Sequence, residues 1–239
     1  MTAVRTLIVT PTYNEHENLE RFVEGVLRWA PEVNVMIVDD GSPDGTGDVA
    51  DRIAAADSRV RVMHRPGKMG LASAYVQAFE RGLADGYDVF FEMDADLSHD
   101  PAHLPQFFRA FDGGADLVIG SRNVPGGGVT GWGAGRHLLS KGGSLYSRGI
   151  LGLPIRDLTS GYKAFRADTL RAIDLGTVKS EGYSFQIELT YRAHQKGFRI
   201  VEVPIHFVDR QVGSSKMSRR IFAEAVVVVW KLRLEKELG

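Results

Sequence analysis

The chain has 239 residues, 44% of them hydrophobic and 25% charged, with no cysteine. That length and balance fit one folded domain or at most two and exclude a disordered chain, while the missing cysteines exclude a disulfide framework, a thiolate nucleophile and Cys-ligated zinc. The formal charge of −1 hides an asymmetry: Met1 to Asp116 carry 10 basic and 20 acidic residues, Leu117 to Gly239 carry 19 and 10, and no acidic residue occurs from Leu117 to Arg156.

Arg5 to Thr10 (RTLIVT) reads as a buried strand, and nothing ahead of it has the apolar run and small-residue cleavage site of a signal peptide. Asn18 to Ala30 predicts a helix with Leu19, Phe22, Val23, Val26 and Leu27 on one apolar face. Then come a strand at Val33 to Asp39, a helix at Gly47 to Ala56, a short strand at Val60 to Met63, a helix at Leu71 to Ala84 and a strand at Val89 to Met93 (VFFEM). Pro101 opens a helix to Phe111, with Asp100 as its N-cap. Leu117 to Gly120 is the next strand. This alternation predicts an α/β fold with a mostly parallel sheet flanked by helices, in which ligands sit beyond the carboxyl ends of the strands.

The texture then changes. Val124 to Gly135 holds six glycines and no charge, which predicts a mobile loop. Leu138 to Leu151 reads as a helix, Gly161 to Arg166 as a strand, Phe185 to Gln195 as a helix and Arg199 to Phe207 as two strands broken at Pro204. Ser218 to Glu237 predicts a C-terminal amphipathic helix, with Ile221, Phe222, Ala225, Val226, Val229 and Trp230 as an apolar stripe flanked by Arg219, Arg220, Lys231 and Arg233. Such a helix suits docking on its own core or lying on an anionic membrane surface. The simplest parse is one domain over 1–217 with the helix at 218–239. No uncharged apolar run approaches the roughly 18 residues that span a bilayer, so a soluble, intracellular chain is expected.

Four predicted strand ends carry polar clusters: Pro11-Thr12-Tyr13-Asn14-Glu15, Asp39-Asp40-Gly41-Ser42, Asp94-Ala95-Asp96 and Ser121-Arg122. In a parallel sheet they share one edge. An isolated D-x-D is more often a solvated turn. Asp94 and Asp96, two carboxylates at i and i+2 just past an apolar strand, instead suit one hard cation, Mg²⁺ or Mn²⁺, completed by water and substrate phosphates. Turn chemistry explains Gly41, Pro43 and Gly45, but not two adjacent carboxylates at a strand end. An acidic residue there commonly accepts hydrogen bonds from a ribose or base. The dinucleotide fingerprint G-x-G-x-x-G is absent after the first strand, and so is the phosphate loop G-x-x-x-x-G-K-[ST]. A sugar nucleotide held by carboxylates and a metal is the better match.

The ordered set PTYNE, VDDGSPDGT, DADLSHDP, GSR and HFVDRQVGSSKM, from about Leu7 to Met217, resembles the inverting, metal-dependent nucleotide-sugar transferases of glycosyltransferase family 2. Within the family it is most similar to the branch that passes mannose from GDP-mannose to a dolichyl or polyprenyl phosphate. The resemblance implies a GT-A fold. It implies that Pro11, Tyr13 and Glu15 line the nucleoside pocket with Val38 and Asp40, and that Lys68 lies near the nucleotide. Asp94, Ala95 and Asp96 would hold the diphosphate, with both carboxylates on the metal; Ser98 stands where the family often has Gln. Arg122, Arg136 and Ser140 match positions that cradle the acceptor phosphate, and Arg210 and Lys216 match basic residues that close on the donor diphosphate. Trp132, in the Gly-rich stretch, is placed to touch lipid or cover the site. The implied partners are GDP-mannose, a polyprenyl phosphate and the cytoplasmic face of a membrane, with the lipid reached either by surface contact or through an integral-membrane partner; nucleic acid is not among them. The alternatives are a transferase using UDP-glucose or another sugar nucleotide, and a non-catalytic nucleotide-sugar-binding subunit of a membrane complex.

Overall fold

The computed structural model describes residues 4–178, 180–209 and 228–234. β1 (Thr6–Thr12), α1 (Leu19–Trp29), β2 (Asn34–Asp39), α2 (Thr46–Ala56), β3 (Val60–His64), α3 (Leu71–Ala84) and β4 (Val89–Glu92) alternate as the periodicity predicts. A 3-10 turn at Pro101–His103 leads into α4 (Leu104–Asp112), then β5 (Leu117–Ser121), β6 (Gly128–Thr130) and α5 (Ala134–Leu151). β7 (Lys163–Arg166), α6 (Ala167–Ile173), a second 3-10 turn at Leu175–Thr177, α7 (Gly182–Gln195), β8 (Ile200–Pro204) and β9 (His206–Val208) follow.

Seven strands form one sheet in the order β3-β2-β1-β4-β7-β5-β8. All neighbours pair in parallel except β7, which runs antiparallel to both β4 and β5. Reversing twice across β7 leaves β5 parallel to β1, β2 and β4, so the four polar strand ends do lie on one edge. The strands bury alternate residues in two apolar clusters, one on each face. Leu7, Val9, Val38, Phe90 and Leu117 pack with α3 and α7. Ile8, Val35, Ile37, Phe91 and Val118 pack with α1, α2 and α4. α1 contributes Leu19, Phe22, Val23 and Val26, the i, i+3, i+4, i+7 stripe read from the sequence.

One glycine in α3 is dictated by packing. A Cβ on Gly82 would lie 2.5 Å from Phe90 Cε1 and 2.7 Å from Leu7 Cδ2, both on fully buried side chains. Gly82→Ala would gain about 1 kcal/mol of helix propensity, but overpacking a well-filled core costs about 1–3 kcal/mol. The variant is therefore expected to unfold at lower urea concentration than the wild type; an equal or higher midpoint would show that the core yields at this point.

Three expectations change. The Gly-rich segment Val124 to Gly135, expected as a mobile loop, contains β6, which pairs in parallel with β9 through Gly128↔His206, Val129↔Phe207 and Thr130↔Val208. Its partner lies some 80 residues away, so local composition gave no sign of it. α5 begins at Ala134, ahead of the predicted Leu138, and α6 was not predicted at all. Of the C-terminal helix only residues 228–234 are described; they are helical, with Val229 and Leu232 buried in the α3–α7 cluster and Trp230 and Leu234 exposed. This part docks on the core; the rest of 218–239 lies outside the described residues. Among the described residues, no helix is long and apolar enough to cross a membrane.

Candidate active site

The loops after β1 and β2 are built on each other. The backbone N–H groups of Asn14, Glu15 and His16 donate to Ser42 Oγ (3.1 Å), Thr46 Oγ1 (2.9 Å) and Asp44 Oδ2 (3.2 Å). Asp39 organises the turn between them, accepting from Thr12 Oγ1 (3.1 Å), Ser42 N (3.1 Å) and Ser42 Oγ (2.6 Å). Asp40 accepts from Arg65 Nε at 2.6 Å, and the rest of that buried guanidinium donates to Ser73 Oγ (2.8 Å) and Gly70 O (3.1 Å). Arg65 thereby fastens the Lys68–Gly70 segment against β2, and Glu181 Oε2 accepts from Ala72 N (3.4 Å) on its far side. Lys68 Nζ sits 4.8 Å from the centroid of the Tyr13 ring, a cation–π contact that brings both expected nucleoside-side residues together. Pro11 and Glu15 flank Tyr13 on the same strand end, both half-buried. Val38 differs from the expectation: its side chain is fully buried in the core cluster with Val9, Ala72 and Tyr75, so only its backbone reaches the edge.

Next along the edge, β4 runs into Asp94-Ala95-Asp96. The Asp96 carboxylate is buried and its Oδ1 accepts from Ser98 N (3.0 Å) and Ser98 Oγ (2.6 Å). Ser98, in the position where the family often has Gln, thus orients Asp96. The Asp94 side chain is 33% exposed, and its backbone N–H donates to His99 Nδ1 at 3.0 Å. Ala95 is buried between the two. Asp100 caps the following turn by accepting from Ala102 N (2.9 Å), as expected. No group of three or more His, Cys, Asp or Glu able to hold a metal occurs among the described residues. Two hard carboxylates fit Mg²⁺ or Mn²⁺, which take their remaining ligands from water and phosphate oxygens rather than from a full protein cage.

Beneath this pair lies a buried carboxyl group that was not among the expected site residues. Glu92, the last residue of β4, is fully buried, and both its carboxylate oxygens are without a hydrogen-bond partner. It faces Lys163 across the β4–β7 ladder. The Lys163 ammonium donates to Gln186 O and Thr190 Oγ1 of α7. Burial pushes Glu92 up to about 8, with Lys163 opposing, and burial likewise pulls Lys163 down to about 8, with Glu92 opposing. A Glu inside the apolar run VFFEM was the available signal, but its partner depends on the antiparallel insertion of β7.

Arg122, at the end of β5, is neither a surface arginine nor an open anion donor. Its side chain is 7% exposed and grips the fully buried Asp157 with Nε (2.7 Å) and Nη2 (2.6 Å), while its backbone N–H also donates to Asp157 Oδ2 (2.9 Å). Thr159 Oγ1 accepts from Nη2 at 3.0 Å. The guanidinium lies against Trp132 (5.3 Å) and Phe207 (5.6 Å), so Trp132 packs over the Arg122 clamp. Burial works to raise the Asp157 pKa, but Arg122 outweighs it and holds the carboxyl below its ordinary value. Arg136 and Ser140 both lie near the start of α5. Arg210 and Lys216 lie outside the described residues. Arg65, Asp157 and Phe207 were missed because each acts through a partner distant in sequence; His99 was missed because its contact with Asp94, five residues away, depends on the left-handed turn at Leu97.

A carboxylate pair beside two interlocked loops, at the carboxyl edge of a largely parallel sheet, is an arrangement of the GT-A type. The family model for "Glycosyl transferase family 2" matches residues 7–174, and the chain belongs to this family and is a glycosyltransferase. It is 53% identical over 232 residues to the "Polyprenol monophosphomannose synthase" of Mycolicibacterium smegmatis, covering 96% of this chain and 88% of that one. It is 54% identical over 226 residues to the "Undecaprenyl-phosphate mannosyltransferase" of Micrococcus luteus, covering 95% and 93%. Among solved structures, glucosyl-3-phosphoglycerate synthase from Mycobacterium tuberculosis, in complex with Mn²⁺, UDP-glucose and phosphoglyceric acid, shares the fold with a TM-score of 0.68 at 19% identity, covering 95% of this chain and 80% of that one.

Proposed function

We propose that this glycosyltransferase moves mannose from GDP-mannose to a polyprenyl phosphate, with inversion at the sugar C1, to give polyprenyl-phosphate mannose. The observation that carries the reading is the meeting of the Tyr13–Lys68 corner, the Asp94/Asp96 pair and the β5 end on one sheet edge. The names of the two relatives that are more than half identical support the acceptor class and the sugar. Tyr13, Glu15, Asp40 and Lys68 would bind the nucleoside, and Asp94 and Asp96 would hold a divalent cation. When bound, that cation offsets negative charge on the leaving diphosphate. A lipid monophosphate is ionised at neutral pH and needs no strong general base. The remaining task for the chain is therefore to orient it, which falls to the basic side: Arg136 and Ser140 on α5, with Arg122 shaping the wall beside them. Arg210 and Lys216 belong to the donor side of this proposal.

The protein would work peripherally, on the cytoplasmic face of a membrane, alone or beside an integral-membrane partner that presents the lipid. The stretch from Leu117 to Arg156 carries no acidic residue. Leu145 on α5 is 68% exposed, with Lys141 and Arg148 one turn to either side. Each basic residue near an anionic surface contributes about 1 kcal/mol, screened by salt.

Thermal melting with GDP-mannose and with UDP-glucose, each with and without Mn²⁺, tests the donor. GDP-mannose with Mn²⁺ is expected to give the largest rise in Tm, and EDTA is expected to abolish mannosyl transfer to a polyprenyl phosphate. A larger rise with UDP-glucose, or full turnover in EDTA, would overturn the corresponding half of the proposal.

A further inference from the structure

We propose that His99 is the residue that holds Asp94 in position for the cation, an inference that rests on the metal reading of Asp94 and Asp96. The sheet ladder ends just before them: Glu92 is the last residue of β4 paired with both neighbours, and Met93 N still donates to Val9 O (3.1 Å). The Asp94 amide is the first beyond the ladders, and His99 Nδ1 accepts from it at 3.0 Å. The chain returns to make this bond through Leu97, a non-glycine residue in the left-handed region with φ 64°.

An Nδ1 that accepts a backbone N–H carries no proton, so the neutral ring is protonated on Nε2. That nitrogen lies 3.9 Å from Asp94 Oδ2, turned toward the same residue though beyond hydrogen-bond length. The hydrogen bond to the Asp94 backbone is therefore the link that ties the ring to this residue. The imidazole cannot swing away. It is 3% exposed, stacked on Tyr162 (centroids 5.0 Å apart, 22° between planes) and met edge-on by Phe207 at 6.0 Å and 70°. Tyr162 is stacked in turn on Phe107 at 4.5 Å. A ligand residue oriented by a rigid outer partner is the arrangement whose loss typically weakens metal binding by about 10- to 100-fold.

A purely packing role for His99 makes the opposite prediction for two substitutions, which separates the readings. His99→Phe keeps the ring between Tyr162 and Phe207 and removes the acceptor. His99→Asn gives up the stacking, but its Oδ1 can reach the place of Nδ1 and accept from the Asp94 amide. The full-length protein is titrated with Mn²⁺ in the presence of GDP, bound metal being read by electron paramagnetic resonance, with Asp96→Asn as control. The expected result is a Kd for His99→Asn close to the wild type, a Kd for His99→Phe about tenfold weaker, and no measurable site in Asp96→Asn. Hydrogen exchange at the Asp94 amide should quicken in His99→Phe only. Wild-type affinity in His99→Phe, with the Asp96→Asn site lost, would overturn the role of His99 and leave the metal reading intact. Wild-type affinity in Asp96→Asn would overturn the metal reading and the inference with it. Should His99→Phe fail to fold, His99→Asn decides alone: wild-type affinity supports the hydrogen bond, and a tenfold loss overturns it.

Discussion

Asp96→Asn is expected to lower kcat/KM by about 10²- to 10³-fold, or about 3–4 kcal/mol of transition-state stabilisation, the scale on which a cation at a leaving diphosphate contributes. Asparagine is the informative replacement. Asp96 Oδ1 accepts from both the backbone N–H and the hydroxyl of Ser98, and an asparagine oxygen can keep both bonds while the negative charge is lost. The turn should therefore survive and the melting temperature should change little, while the hold on the cation fails. Alanine would remove the turn and the charge together and confound the two. Initial rates at several GDP-mannose concentrations, with melting curves for both proteins, make the measurement. Wild-type kcat/KM in Asp96→Asn would refute the assignment of Asp96.

Arg122→Ala should be the most destabilising of the changes considered. It strands Asp157, which is fully buried, and breaking a buried pair from one side costs about 3–5 kcal/mol. Asp157 retains the Arg122 backbone N–H, so the lower end, about 3 kcal/mol, is expected. For a chain of this size that corresponds to roughly 6–12 °C in Tm. The pH dependence gives the sign. In the wild type the Asp157 pKa is held below its ordinary 3.8, so the pair's contribution is complete above that value and is lost as pH falls through the depressed folded pKa. Without the guanidinium, burial is opposed only by the Arg122 backbone N–H and by Lys163, so the folded pKa rises from its wild-type position, and the variant loses stability relative to the wild type as pH climbs through that higher value. The gap in Tm between the two proteins should therefore widen from pH 4 to pH 7. If Arg122→Ala melts with the wild type at both pH values and fails only with the lipid acceptor, Arg122 is a phosphate ligand and not a clamp.

Much of this protein could be read along the chain, because the signals were local. Apolar periodicities of two and of 3.6 residues located β1 to β5 and α1 to α4 to within a few residues, since each stripe need only face a core to form its element. The polar strand ends were legible for the same reason: a carboxylate pair directly after VFFEM, or PTYNE after an apolar strand, breaks a local pattern where the strand leaves the sheet. The parallel sheet then followed from the alternation of strands and helices, and with it the common edge.

What only the tertiary structure decided is who faces whom. The insertion of β7 between β4 and β5 sets Lys163 opposite Glu92, the pairing of β6 with β9 brings Phe207 to Trp132, and the return of the chain after β5 puts Asp157 on Arg122. Arg65 on Asp40 belongs to the same class; His99 and Asp94 are only five residues apart, and there the structure added the left-handed turn at Leu97 that folds one back onto the other. A side chain's type states what it can bond and its spacing states which face it occupies. Whether a buried arginine holds a substrate or a neighbour depends on contacts between segments tens of residues apart. Those contacts are set by the packing of the whole sheet, and no stretch of sequence contains both partners.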